Sequence, residues 1–194
     1  PMRTLVRSVG RASIGGEPLP SSFKAFEANK IIIRRSEVSM FAGAPGAGKS
    51  TLALALALKT NVPTLYISAD TNAHTMAMRL ASMISGKSQS DVEQKLNTDV
   101  GWTKAVLQKG SHIVWSFESS PTLEDIDEEV QAFEELWGCS PSLIVLDNLM
   151  DVATDGGEEF ASMRAIMKEL KYLARATNSA IVVLHHTSEA VPGN

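Results

Sequence analysis

Residues 43–50 form the segment of this chain whose residue types and spacing most clearly indicate chemistry. They read Gly-Ala-Pro-Gly-Ala-Gly-Lys-Ser, which matches the pattern G-x-x-x-x-G-K-[ST] at every fixed position. Glycines allow a backbone to curl so that successive N–H groups point inward, at the oxygens of a phosphate group. A helix that begins near Lys49 would aim its positive end at the same anion. The segment therefore predicts a loop that binds the phosphates of a nucleotide.

Two side chains of this loop have separate expected roles. The Lys49 ammonium is expected to reach the β- and γ-phosphates, and the Ser50 hydroxyl to bind Mg²⁺, so that ATP and Mg²⁺ are the predicted cofactors. The residues expected to contact the nucleotide are Gly43, Ala44, Pro45, Gly46, Ala47, Gly48, Lys49, Ser50 and Thr51. An ordinary glycine-rich turn is the alternative, but the strand pattern before the loop and the helix pattern after it favour the phosphate loop.

Aspartates at the ends of two predicted strands supply the acidic groups that such a loop needs. Asp147 ends the apolar run Leu143–Leu146, and we expect it to hold the hydration shell of the metal ion. Asp70 follows the predicted strand Thr64–Ser68 and comes just before a helix pattern. It is a candidate to orient or deprotonate the water that attacks the phosphate. A helix cap or Asx-turn is the alternative for either residue.

A pair of histidines, His185 and His186, ends the fifth predicted strand. Successive side chains of a strand point to opposite faces, so only one of the two is expected to face the nucleotide. That histidine would contact the γ-phosphate and respond to its loss, and the other would be structural. The strand pattern by itself leaves open which is which.

Strand and helix patterns alternate along the chain. The predicted strands are Val38–Ala42, Thr64–Ser68, Ile113–Phe117, Leu143–Leu146 and Ile181–Leu184. The predicted helices are Lys49–Thr60, Ala73–Ser85, one or two short helices within 88–109, a helix that begins with Ser120 as its cap and Pro121 in its first turn, and Glu158–Ala176. This alternation, with continuously apolar strands, predicts a three-layer α/β/α fold around a mainly parallel sheet.

Two of these helices carry a clear apolar face. In the first, Leu123, Ile126, Val130, Phe133 and Trp137 form one stripe, and the acidic residues opposite are interpreted as a solvated surface. In the second, the residues expected to face inward are Phe160, Met163, Met167, Leu170 and Ala174.

Composition limits the class of protein. The chain has 194 residues, 44% of them apolar, which suits one well-buried domain. We expect residues 1–30 to be an irregular lead-in and residues 31–194 to form the domain. No apolar run approaches the roughly 18–20 residues of a membrane helix, so no membrane partner is expected. The single cysteine, Cys139, excludes an intrachain disulfide, and a cytoplasmic location is expected. A net charge of −4 disfavours a surface that coats nucleic acid.

Taken together, these motifs resemble the RecA-like core of hexameric helicases of the DnaB and RepA type. The stretch Ile67–Leu80 resembles the family segment that carries the catalytic base, and this role falls on Asp70. The stretch Leu143–Asn148 resembles the second nucleotide motif of the family. The stretch Val182–Ser188 resembles the RepA-type strand ending, in which the γ-phosphate sensor falls on His186 more than on its neighbour.

The resemblance, which runs from Ile31 to Ser188, implies more than the motifs do alone. It implies a RecA-like P-loop ATPase of DNA replication or recombination, assembled as a homo-oligomeric, hexameric ring. It implies that the loops after Asp147 and His186 contact single-stranded DNA, and that the strand near residue 181 lies between the strands of the phosphate loop and of Asp147. The family has further strands with an arginine finger, so we expect the sequence that stops at Asn194 to be a fragment that lacks them or to be followed by a further segment.

Asp70 departs from the family, which usually has glutamate at this position and therefore a side chain longer by one methylene. A nucleotide-switched assembly module with little hydrolysis is therefore one alternative. A small-molecule kinase is another, although such kinases need an arginine-bearing lid and the chain has no arginine-rich insertion.

Overall fold

The computed structural model describes the backbone of residues 16–152 and 159–187, and the side chains of residues 16–152 and 163–187. Five strands lie in this part of the chain: β1 Val38–Gly43, β2 Thr64–Ser68, β3 Ile113–Ser116, β4 Leu143–Asp147 and β5 Ala180–His186. The α-helices are α1 Lys24–Ala28, α2 Lys49–Thr60, α3 Ala73–Ser85, α4 Gln89–Thr98, α5 Val100–Leu107, α6 Leu123–Trp137 and α7 Glu159–Thr177. Short 3₁₀ turns cover Gln108–Gly110 and Leu149–Asp151.

The five strands form one sheet in the order β1-β5-β4-β2-β3, and every neighbouring pair is parallel. The predicted α/β fold with a parallel sheet is confirmed. Strand β5 lies between β1 and β4, as the resemblance implied, and β1 forms one edge of the sheet. Within the described ranges, no helix combines the length and apolar character needed to cross a membrane.

Helices cover both faces of the sheet and make two separate apolar cores. One core joins Tyr66, Val145 and Val182 of the strands to Ala53, Leu54 and Met76 of α2 and α3. The other joins Leu65, Ile144 and Val183 to Ile126 and Phe133 of α6 and Leu170 of α7. Every residue of β4 is buried, which confirms that this strand is covered on both faces. The molecule therefore has the three layers that the strand patterns predicted.

Polar residues gather where the parallel strands end. Gly43 of β1 pairs with His186 of β5, and Ser68 of β2 pairs with Asp147 of β4. Asp70 follows β2 by two residues. The carboxyl ends of parallel strands lie along one edge of the sheet, so the topology brings residues from four parts of the sequence to one place.

Some boundaries differ from the prediction. Helix α6 begins at Leu123 with Thr122 as its cap, so the expectation of Ser120 as cap and Pro121 in the first turn is wrong. The reason is a capping box in which Thr122 and Asp125 each bond the other's backbone N–H, which fixes the start two residues later. Residues 88–109 form two α-helices and a 3₁₀ turn, and the expected lead-in contains the short helix α1.

Strand β5 is longer than predicted, because its ladder with β1 continues through both histidines. In α7, Leu170 and Ala174 are buried, and Met163 and Met167 pack against the core, as expected. The inward position expected for Phe160 falls outside the described side chains.

Candidate nucleotide-binding site

The phosphate loop connects β1 directly to α2. Gly46 and Gly48 have φ angles of 77° and 83°, in the left-handed region where a side chain is strained. The amide of Ala47 donates to the carbonyl of Ala44 at 3.2 Å, which closes a tight turn inside the loop. These conformations explain why glycine stands at both positions.

Helix α2 begins at this loop without a side-chain cap. Gly48 occupies the cap position and offers no hydrogen-bonding side chain, and no acidic residue lies in the first turn. Helices α3 and α6, by contrast, begin with Asn72 and Thr122, whose side chains accept from backbone N–H groups. The first N–H groups of α2 therefore keep their capacity to bind an anion, together with the positive end of the helix dipole.

Lys49 lies against the loop from which it projects. Its side chain is mostly buried, and its Nζ donates to the carbonyl oxygens of Gly43 at 2.8 Å and Ala44 at 2.9 Å. The same Nζ lies 3.1 Å from Nδ1 of His186. An ammonium group can only donate, so Nδ1 of His186 is the acceptor and the ring proton lies on Nε2.

Nε2 of His186 points to the next residue of the site, because it lies 3.5 Å from Oδ2 of Asp70. The structure thus brings Lys49, His186 and Asp70 into one series of contacts. The neighbouring His185 lies on the other face, where its Nδ1 is buried and has no hydrogen-bond partner among the described residues. Of the two histidines, His186 is the one that faces the phosphate loop.

Asn148 orients Asp70 from the far side of the same group. Its Nδ2 donates to Oδ2 of Asp70 at 2.8 Å, and its Oδ1 accepts from the Met150 amide at 2.7 Å. The second bond fixes which end of the amide faces the carboxylate. Burial raises the pKa of Asp70, but hydrogen bonds with Asn148, Asp151 and His186 outweigh burial and hold that pKa below its ordinary value. Asp70 is therefore ionised at neutral pH.

Asp151 is a neighbour of Asp70 that the sequence analysis did not assign to the site. It ends the 3₁₀ turn after β4. Burial, together with the hydrogen bond and negative charge of Asp70, raises the pKa of Asp151. Asp151 is thus the member of the pair that holds a proton more readily, and a protonated Asp151 can donate to Asp70. We refer to Asp70, Asp147 and Asp151 as the carboxylate cluster.

Asp147 is the most deeply buried member of the carboxylate cluster, with 2% of its surface exposed. Oδ2 of Asp147 accepts from the Tyr66 hydroxyl at 3.0 Å, and the carboxylate also bonds the Ser50 side chain. Burial raises the pKa of Asp147, while the hydrogen bonds from Ser50 and Tyr66 oppose that rise. Burial and the Asp147 charge raise the pKa of Tyr66 well above its ordinary value, so the phenol stays protonated and donates.

The groups around Asp147 fit a hydrated Mg²⁺ ion. Among the described residues, this buried carboxylate has hydroxyl partners but makes no ion pair with a lysine, arginine or histidine. Within the same residues, no three or more His, Cys, Asp or Glu side chains are arranged so that they could hold a metal ion without a further ligand. This is also true of the three aspartates of the carboxylate cluster. Mg²⁺ is commonly bound by one or two carboxylates together with the phosphates of a substrate, so Asp147 and Ser50 form a suitable partial site.

Arg79 of α3 adds positive charge near this part of the site. Its charge lowers the pKa of both Asp147 and Tyr66, in each case against the larger effect of burial. Its Nη1 lies 3.8 Å from the sulfur of Met76. Sequence reasoning did not assign Tyr66, Asn148 and Asp151 to the site. Each of them contacts an aspartate that belongs to a different strand or follows one.

Comparison with known proteins identifies a family and two relatives. The model of the AAA domain family matches residues 28–190. The Gene 65 protein of Mycobacterium phage L5 is 34% identical over 178 residues, which cover 89% of this chain and 66% of the relative. The Gene 65 protein of Mycobacterium phage D29 is 35% identical over 156 residues, which cover 74% of this chain and 64% of the relative. This chain thus spans slightly under two thirds of the length of each relative.

Solved structures show the same fold at much lower identity. A DnaB-like replicative helicase, described with its interactions with primase, has a TM-score of 0.80 and 16% identity, over 100% of this chain and 50% of the helicase. A second solved structure, described as an ATPase domain, has a TM-score of 0.79 and 15% identity, over 97% of this chain and 70% of that one. These similarities confirm the RecA-like α/β fold that the motifs suggested.

Proposed function

Because this chain belongs to the AAA domain family, we propose that it binds ATP with Mg²⁺, hydrolyses it, and drives a motor that acts on single-stranded DNA. The observation that carries this proposal is the series of contacts from Lys49 through His186 to Asp70, which joins the phosphate loop to an ionised carboxylate. A loop that only bound a nucleotide would not need that carboxylate. The proposed unit is residues 31–194.

The phosphate loop supplies binding and charge. Backbone N–H groups of residues 43–51, except Pro45, which has none, surround the phosphates together with the start of α2. The Lys49 ammonium donates to the β- and γ-phosphate oxygens. The Lys49 ammonium already lies against the loop carbonyls and His186, beside the loop that is proposed to hold the phosphates. Stabilising the charge of the transferring phosphoryl group is the larger part of this chemistry.

Asp70 is proposed as the group that orients the attacking water and accepts its proton. Its low pKa keeps it ionised, and Asn148 holds one of its oxygens in place. His186 carries its proton on Nε2, beside Asp70, and offers Nδ1 towards Lys49. We therefore propose that His186 responds when Lys49 changes partner from the ring to the γ-phosphate.

Ser50 and Asp147 are proposed to hold Mg²⁺, Ser50 through its hydroxyl and Asp147 through the water shell of the ion. When bound, the ion neutralises charge on the phosphate oxygens. The hydroxyl of Tyr66 keeps its hydrogen bond to Asp147, and the burial of that carboxylate limits access of bulk water.

The link to DNA and the homo-oligomeric ring are proposed from the fold shared with the replicative helicase and with the second ATPase domain. The acidic character of the segment after Asp147, with Asp151, Asp155, Glu158 and Glu159, disfavours side-chain contacts to phosphates there. DNA contact through backbone N–H groups is the form that such a sequence permits.

ATP turnover of the protein, measured with and without single-stranded DNA, tests this proposal. Saturable ATP–Mg²⁺ binding with DNA-stimulated phosphate release is the expected result. Tight binding without turnover would instead support a nucleotide-switched assembly module, and phosphate transfer to a metabolite would support a kinase. Absence of saturable ATP–Mg²⁺ affinity would overturn the proposal entirely.

A further inference from the structure

Tyr66 is a buried tyrosine whose hydroxyl reaches the proposed metal site from within the sheet. It lies in the middle of β2 and has 0% of its surface exposed. Its hydroxyl is 3.0 Å from Oδ2 of Asp147 and 3.5 Å from the carbonyl oxygen of Ser50. The one polar atom of this side chain thus lies between the two residues proposed to hold Mg²⁺.

We infer that Tyr66 is a positioning residue for the metal: its hydroxyl fixes the orientation of the Asp147 carboxylate, and through it the affinity of the site for a divalent cation. The inference rests on the proposed function, since it assumes that Asp147 serves Mg²⁺. The inference adds Tyr66 to the proposed metal site, although neither the loop motif nor the acidic residues at the strand ends predict a role for this residue.

The hydroxyls of Tyr66 and Ser50 both bond the Asp147 carboxylate, but their proposed roles differ. The Ser50 hydroxyl is itself proposed to bind the metal, whereas the Tyr66 hydroxyl is proposed to act on it only through the hydrogen bond to Asp147. A donor of this kind restrains a ligating carboxylate in one orientation, and residues in that position commonly change metal affinity when they are replaced.

Aromatic packing holds the Tyr66 ring in the place that this role requires. The ring packs against Trp115 of β3 with centroids 5.0 Å apart, and Trp115 stacks on Phe117 at 6.0 Å. These contacts involve the ring and not the hydroxyl. Replacing tyrosine by phenylalanine therefore removes the hydrogen bond and leaves the packing unchanged, which makes the role of the hydroxyl testable by itself.

The experiment compares Tyr66→Phe with Tyr172→Phe in the full-length protein. Tyr172 is the other tyrosine of the chain and is 71% exposed, so it provides a matched control. Mn²⁺ binding in the presence of ADP is followed by electron paramagnetic resonance, and ADP affinity without metal is measured separately. We expect Tyr66→Phe to weaken Mn²⁺ binding about 10-fold, with metal-free ADP affinity unchanged. Tyr172→Phe should match the unsubstituted protein in both measurements.

Other outcomes separate the inference from the proposed function. If the unsubstituted protein binds neither ADP nor Mn²⁺, the proposed function itself fails. If it binds both and Tyr66→Phe binds Mn²⁺ equally well, only the inference is overturned. An equal loss of metal-free ADP affinity in Tyr66→Phe would also overturn it, because that result indicates a general structural defect.

A double-substitution cycle gives a second test. Asp147→Asn should weaken Mn²⁺ binding, and adding Tyr66→Phe to it should cause little further loss if Tyr66 acts through Asp147. Independent, additive losses would contradict the inference.

Discussion

The phosphate loop and the carboxylate cluster lie next to each other at the carboxyl ends of the strands, but they are formed by different kinds of residues. The loop uses consecutive residues and mostly backbone groups, with two glycines in left-handed conformations. The carboxylate cluster uses side chains from positions 70 to 151, held by hydrogen bonds across β2 and β4. A contiguous motif therefore defines the loop, whereas the tertiary fold defines the carboxylate cluster.

The largest effect is expected in the loop. Lys49→Ala removes the cation that contacts both loop carbonyls and His186, and we expect ATP turnover to fall about 10³-fold, as when a key charge-stabilising donor is lost. Steady-state phosphate release measures this. Lys59→Ala, on the exposed side of the same helix, is the control and should retain turnover.

In the carboxylate cluster, Asp70→Asn separates chemistry from binding. The substitution keeps the size of the side chain but removes its negative charge, and we expect turnover to fall about 10²-fold. ATP affinity, measured with a fluorescent analogue, should stay within about twofold, which corresponds to about 0.4 kcal/mol of binding free energy. Asp127→Asn on the exposed face of α6 provides the matched control. Unchanged hydrolysis in Asp70→Asn would remove this residue from the mechanism.

A smaller effect tests whether orientation within the carboxylate cluster matters. Asn148→Ala removes the donor to Oδ2 of Asp70, and a hydrogen bond to a charged group is worth about 1.5–3 kcal/mol. We expect kcat to fall about 10-fold with little change in KM. Asn97→Ala, at an exposed position of α4, should leave both constants unchanged. A rise in KM with constant kcat would show that Asn148 serves nucleotide binding instead.

The smallest effect on function is expected far from both regions. Thr122→Ala breaks the capping box of α6 and should lower the free energy of unfolding by about 1 kcal/mol. Denaturant titration measures this, while turnover at room temperature should be unaffected. A fall in turnover would show that the start of α6 is coupled to the nucleotide site.

The sequence predicts most of the fold because strands, helices and the phosphate loop are each indicated by patterns within short stretches of consecutive residues. Apolar runs locate the five strands, and the pattern of residues 43–50 locates the loop and the start of α2. The position of β5 between β1 and β4 came from a family resemblance, since periodicity within a strand carries no information on its neighbours. The start of α6 was placed wrongly because Ser120 and Thr122 are both good caps, and the partner Asp125 decides between them.

The site is predictable to the extent that its residues follow strands directly. Asp70, Asp147 and His186 end or follow strands, so their common location could be anticipated. In the sequence, Tyr66 looks like an ordinary apolar strand residue. Its hydroxyl comes within hydrogen-bond distance of Asp147 only because β2 pairs with β4. Asp151 reads as part of an acidic loop, and only the 3₁₀ turn brings it to Asp70.

The register of the β1–β5 strand pair, at one side of the sheet, has a mechanical consequence. Gly43 and His186 occupy one rung of the β1–β5 ladder, and the amide of Thr187 donates to the Gly43 carbonyl at 3.2 Å. Gly43, the first residue of the loop, and His186 are thus connected through main-chain hydrogen bonds, so their backbones are expected to move together. The signal proposed to pass between them would therefore need rotation of the Lys49 and His186 side chains, because sliding of one strand along the other would break the whole ladder.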